Sequence, residues 1–122
     1  MASPAARHFQ ACGACKRRWP TQESFLLDPA VRLLGLQAVA HDSDFNVLIF
    51  EHRCGSSISI LTPRLRNLLP GPGPDEPAAR LIGTEECRGH CRTLADLEAC
   101  GAPCSGARDR MLLRIVLRMK TP

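Results

Sequence analysis

Cysteine and histidine are the residues of this chain best suited to chemistry, seven of the first and four of the second in 122 residues. The first group joins Cys12-Gly13-Ala14-Cys15 to His52-Arg53-Cys54-Gly55. A C-x2-C loop curls back so that both sulfurs can meet one ion, and a tetrahedral structural zinc site then needs two more N or S donors from another turn. His52 and Cys54 supply them, on an H-x-C spacing that is rarer in such turns; Glu51 is a lesser ligand candidate. With four protein donors the centre is closed and structural, not catalytic. Such an ion contributes ~10–16 kcal/mol of apparent binding free energy, against ~5–15 kcal/mol of net stability for a typical domain. Blander readings exist for each part. Cys12 and Cys15 are spaced as a redox dithiol, although that motif should open a helix and this one runs into Lys16-Arg17-Arg18-Trp19-Pro20. His52 would otherwise be a strand-end histidine, and Cys54 a small buried apolar residue.

The second group is Cys87, Cys91, Cys100 and Cys104, two C-x3-C pairs. The leading reading is a second zinc site, of four thiolates. Two disulfides clamping paired helices are an alternative, because residues four apart share a helical face. An iron–sulfur cluster is another. His90 is either a substitute ligand or an exposed loop histidine. One or two zinc ions are therefore expected, with iron–sulfur chemistry confined to the second group. Arg110, Arg114 and Arg118 form a basic row, either a candidate partner-binding face or a solvated one. No glycine-rich phosphate loop, nucleophile elbow or helical zinc-protease motif is present. His8 and His41 have no neighbour in sequence that would make them catalytic, and Asp42 and Asp44 read as turn formers. No enzyme activity is expected.

These side chains need turns to carry them. Thr21 caps a short helix, with Glu23 at its positive end. Phe25, Leu26 and Leu27 form its apolar face, and Asp28-Pro29 stops it. Val31 to Ala40 and Asn46 to Glu51 read as a hairpin around the turn cluster His41-Asp42-Ser43-Asp44. Ser57-Ile58-Ser59-Ile60-Leu61 alternates with period two, as a half-buried strand does. His52 and Cys54 thus fall at the corner between the second and third strands, where Gly55 permits a sharp turn. Thr62-Pro63 starts a further helix with Leu65, Leu68 and Leu69 on its stripe. A short helix from Leu94 to Ala99, capped by Thr93, is expected among the later cysteines. Ser105 to Lys120 is the longest helix, with Leu112, Ile115, Val116 and Met119 as its stripe, widened by Leu113 and Leu117. The expected fold is small α+β. Residues 1–69 form a zinc-ribbon-like antiparallel sheet, a hairpin or three strands, with short helices. Residues 70–77 are a Pro/Gly linker. Residues 78–122 are a Cys-rich helical segment that packs on the first part through its long amphipathic helix.

Composition narrows the function classes. One Trp, four Phe and no Tyr leave the packing to Leu, Ile and Val, and a core this small benefits from cross-links. The net charge of +4 is mild and spread along the chain, so nucleic-acid binding is allowed but not indicated. No apolar run is long enough for a membrane helix, and the first ten residues lack the apolar segment of a signal peptide. A cytoplasmic location is expected. In a reducing compartment an odd set of seven cysteines favours metal ligation over disulfides. The expected partner is another protein, with no membrane.

In their order and types these motifs resemble those of an uncharacterised family of small bacterial cysteine-rich, zinc-ribbon-like proteins. The stretches that carry the resemblance are Cys12-Gly13-Ala14-Cys15 with Trp19-Pro20-Thr21, then Phe25-Leu26-Leu27-Asp28-Pro29 and Gly35-Leu36-Gln37. His52-Arg53-Cys54-Gly55-Ser56-Ser57 follows, then Gly83-Thr84-Glu85-Glu86-Cys87 with Cys91, and finally Cys100, Cys104 and the terminal helix. They cover most of residues 9–120. Family members carry a further cysteine just after the position of Cys104, where this chain has Ser105-Gly106. The resemblance implies the same two ligand groups and no assigned activity. The functional expectation is a non-enzymatic, metal-stabilised interaction or regulatory module. A thiol redox protein or sensor, using Cys12/Cys15 or the second group, and an iron–sulfur protein are the alternatives.

Overall fold

The computed structural model describes residues 8–38, 43–70, 89–98 and 107–120. It is α+β, with two antiparallel sheets and a C-terminal helix. The first sheet is a small hairpin. β1 (Gln10–Ala11) pairs with β2 (Arg18–Trp19), Gln10 against Trp19 and Ala11 against Arg18. The CGAC loop is therefore a hairpin tip. It is closed by Cys12 N–H to the Arg17 carbonyl (2.7 Å) and Lys16 N–H to the Cys12 carbonyl (3.0 Å). Lys16 takes a left-handed φ of 68° to let the chain return.

α1 (Gln22–Leu26) begins as the sequence predicts. Thr21 Oγ1 accepts from Ser24 N–H, and Ser24 Oγ accepts from Thr21 N–H, both at 3.0 Å, which satisfies two donors at the helix start. Phe25 and Leu26 are fully buried, but Leu27 is half exposed and does not belong to the buried face. Leu27 is the C-cap residue just past the helix, about 100° further round its axis than Leu26.

The second sheet has the order β3-β4-β5: β3 (Val31–Gln37), β4 (Val47–His52) and β5 (Ser57–Leu61). Leu33 faces Phe50, Leu36 faces Leu48, and Phe50 faces Ile58. Alternation puts Leu48, Phe50, Ile58 and Ile60 inside. The register shifts between Leu33 and Gly35. There the Leu94 carbonyl packs so closely that a Cβ at residue 35 would lie 1.8 Å from its oxygen. A side chain of any kind is excluded at that bulge.

α2 (Ala107–Lys120) lays Leu112, Leu113 and Val116 on this sheet, in one buried cluster with Trp19, Phe25, Leu36 and Phe50. Few aromatic rings are present, yet four of the five form one array. Phe25 contacts Phe9, Trp19 and Phe50 at centroid distances of 5.7, 5.1 and 5.0 Å. Aromatic packing is thus scarce in composition but concentrated in space.

Three expected elements differ. Residues 62–69 do not form an α-helix but two 3-10 turns, Thr62–Arg64 and Arg66–Leu68, with Leu65 buried between them. Thr62 is not a cap there: it is buried, and its hydroxyl donates to Asp109 at 2.8 Å. The Leu94–Ala99 helix is replaced over its described part by a turn and irregular chain. Asp96 competes with helix by accepting the Glu98 N–H at 3.0 Å. The strand expected to reach Ala40 ends at Gln37. Residues 71–88, with Cys87 and all of the 70–77 linker but Pro70, lie outside the described residues, as do 39–42 and 99–106, which hold Cys100, Cys104 and Ser105.

Candidate metal centre

Each hairpin tip contributes two donors. Cys12 and Cys15 come from the β1–β2 tip. His52 is the last residue of β4, and Cys54 lies in the turn that leads to β5. That turn is set by His52 N–H to the Ser56 carbonyl (2.9 Å) and Gly55 N–H to the His52 carbonyl (2.8 Å). Gly55 has φ 93°, a conformation that glycine adopts without strain. The donor atoms of Cys12, Cys15, His52 and Cys54 all lie within 4.8 Å of one another.

The separations match a coordination polyhedron. Zinc-type bonds of ~2.3 Å to sulfur and ~2.0–2.1 Å to nitrogen give a tetrahedron with edges of ~3.8 and ~3.6 Å. The Cys12–Cys54 sulfurs are 3.6 Å apart; His52 Nδ1 is 3.5 Å from Cys15 Sγ and 3.3 Å from Cys54 Sγ. These four residues could hold a metal ion.

Ser56 is a member of the site that sequence reasoning missed. Its Oγ is 3.0 Å from Cys12 Sγ and 3.1 Å from Cys54 Sγ. A hydroxyl there donates to whichever sulfur is the thiolate. That bond is the first cause of the lowered Cys12 pKa, brought to about 5 with help from the Cys15 and Ala14 amides and Cys54, against burial. Cys54 is lowered by the Ser56 hydroxyl and amide and by His52. Cys15 is drawn down by the Arg17 amide, but burial and the neighbouring Cys12 and Cys54 thiolates outweigh it and push the thiol up. Burial disfavours a charged His52; hydrogen bonds and charge from Cys54 and Cys12 outweigh this and raise its pKa. Lowered thiols beside a raised imidazole favour thiolate paired with a proton or a cation in this pocket.

His52 is buried between this pocket and the aromatic array. Trp19 stands edge-on to its ring at 5.1 Å and 87°. The Trp19 indole N–H donates to Asp28 Oδ2 at 2.8 Å, and the Ala30 N–H donates to Asp28 Oδ1 at 2.8 Å. Asp28 thus anchors the ring that packs on His52. Cys54 is exposed rather than a buried apolar filler. Glu51 is not among the converging donors; it pairs with Arg32 at 2.8 Å. Lys16, Arg17, Arg18 and Arg53 are exposed on or beside the two tips, so the surface around the four donors is basic.

Of the second group only Cys91 lies within the described residues, half-buried in the 3-10 turn His90–Arg92. His90 Nδ1 is 2.9 Å from Asp96 Oδ2. The expected solvent-facing arginine row does not hold for Arg110, which is fully buried. It donates to the carbonyls of Asp96 (2.7 Å), Glu98 (2.5 and 2.9 Å) and His90 (3.3 Å), and to Asp96 Oδ1 (3.2 Å). Arg114 donates to the Leu97 carbonyl at 3.1 Å, while Arg118 is exposed. Two of the three arginines thus bind the main chain of residues 90–98.

Comparison with protein-family models, curated proteins and solved structures gives no match. Among the described residues no helix is long and apolar enough to cross a membrane.

Proposed function

We propose that Cys12, Cys15, His52 and Cys54 hold one zinc ion in a closed structural centre of zinc-ribbon type. In this reading the chain is a small, non-enzymatic cytoplasmic module that meets a partner protein. The observation that carries the metal reading is the convergence of four N and S donors within 4.8 Å, two from each of two hairpin tips. Three thiolates and one imidazole suit zinc, and a full protein ligand set leaves no position for a reacting water. The resemblance to small bacterial cysteine-rich proteins supports the same ligand grouping. We assign a second ion to Cys87, Cys91, Cys100 and Cys104, zinc ahead of an iron–sulfur cluster. His90, next to Cys91 in the chain, has its Nδ1 oriented by a carboxylate, as ligating histidines commonly do.

Elemental analysis of protein prepared without chelator tests this. One or two zinc ions per chain are expected, and Cys12→Ser with Cys54→Ser removes one of them. Protein free of zinc would sink the reading. A thiol redox role is the second reading, favoured by the 3.6 Å approach of the Cys12 and Cys54 sulfurs. Thiol counting before and after mild oxidant separates the two. Reversible loss of two thiols in a folded, metal-free chain supports redox, and thiols protected by bound metal support the structural centre.

A further inference from the structure

Between α1, β3 and the end of α2 lies a cleft of about 550 Å³ that the metal centre does not use. Its apolar walls are Leu27, Pro29, Val31, Leu33, Leu117 and Met119. Leu27, half exposed, forms part of its lip. Lys120 brings a single ammonium group into it. Lys120 Nζ donates to the carbonyls of Leu26 (2.8 Å) and Asp28 (3.4 Å), which caps the end of α1. An ammonium has three protons to donate, so capping leaves one over. Among the described residues no carboxylate lies within ion-pair distance of Lys120. Asp28 lines the cleft, but its oxygens are engaged by Trp19 and Ala30. Arg32, also in the lining, is exposed and paired with Glu51. Lys120 is thus a half-buried cation held by two neutral carbonyls and the face of Phe50, 5.8 Å from its ring centroid, with no carboxylate in contact among the described residues; burial lowers its pKa to about 8, with the charge of Asp28 opposing. Apolar walls with one under-compensated cation match a molecule with an apolar tail and a single anionic head.

We propose that this cleft binds a free amphiphilic monocarboxylate, its head on Lys120 and its tail along Leu33, Leu117 and Met119. The proposal is independent of the metal centre.

Methyl-labelled methionine resonances report on it directly. The chain has three methionines, Met1, Met111 and Met119. Met119 lines the cleft, while Met111 is exposed earlier on α2 and is not among its lining residues. The metal-loaded full chain is titrated with decanoate and, separately, with decyltrimethylammonium. Decanoate is expected to shift Met119 saturably and leave Met111 in place, and the cationic amphiphile is expected to do neither. Lys120→Gln keeps a donor for the Leu26 carbonyl but removes the charge, and should weaken decanoate roughly tenfold. Leu27→Glu changes only an exposed lip residue and should weaken it also, by placing a like charge beside the head. An unmoved Met119, equal binding of the two amphiphiles, or undiminished affinity in Leu27→Glu would overturn the proposal.

Discussion

Ser56 places one hydroxyl between two sulfurs of the candidate centre, and hydrogen bonds of this kind tune how firmly thiolates hold a metal. Ser56→Ala leaves the backbone of the turn intact and is expected to weaken metal affinity by roughly 10- to 100-fold. Competition with a chromogenic chelator measures this. Asp28 acts at one remove, through Trp19. Burial raises its pKa, but hydrogen bonds from Trp19 and Ala30 and the charges of Arg17 and His52 outweigh that and leave it lowered. A depressed carboxyl adds stability above its unfolded pKa of ~3.9 and loses it as pH falls through the lower folded value. Melting temperatures followed downward from neutral pH should therefore fall less steeply in Asp28→Asn than in the parent. At this scale the sequence was readable where side-chain chemistry is rare. Cysteine and histidine announce ligands by type and spacing. Serine and aspartate are common, and their roles here come only from distances across the fold. Asp109 shows the same limit. It is buried, accepts from Asn46, Thr62 and Arg66 at 2.8–3.2 Å, and has no signature in its own helix.

The segment 89–98 has little regular structure of its own and is held by its neighbours. Arg110 binds its carbonyls from α2, and Leu94 sits against Gly35 of β3. Arg110→Met keeps a long apolar stem in the core and removes every donor. Hydrogen exchange should then speed up at amides 93–98, while the α2 amides stay protected; uniform loosening of both would contradict the clamp. The strands were legible because alternation and turn residues agree, and the α1 cap because Thr21 and Ser24 act locally. The segments at 62–69 and 94–98 were not, because tertiary bonds decide them. Thr62 donates to Asp109, and Asp96 serves Glu98 and Arg110 instead of a helix. The arginine row was visible as spacing, but spacing alone does not tell an outward face from one that binds main-chain carbonyls.

For the molecule as a whole, the four converging donors join the small hairpin to the larger sheet, and the single Trp is placed to report on a metal held there as proposed. Trp19 is fully buried and packs edge-on to His52. Removing metal with a chelator is expected to shift its emission to longer wavelength and to lower the melting temperature sharply, and added zinc should restore both. A metal binding term of ~10–16 kcal/mol exceeds what most small cores retain without it. The α+β class and the ligand pairing were legible at this scale because hydrophobic period and ligand chemistry point the same way. The joining of α2 to the metal-bearing half was visible only as an apolar stripe. If these four residues hold zinc as proposed, capture of the ion follows the order in which the chain is made. Cys12 and Cys15 leave the ribosome well before His52 and Cys54, and synthesis proceeds at ~5–20 residues per second. For that interval the first two thiolates form an incomplete nest that can hold an ion weakly. When the second turn emerges, its two donors meet that ion as parts of the same chain, at high effective concentration. The spacing of the proposed ligands would thus make metal capture a timed step, in which the early half waits and the late half locks.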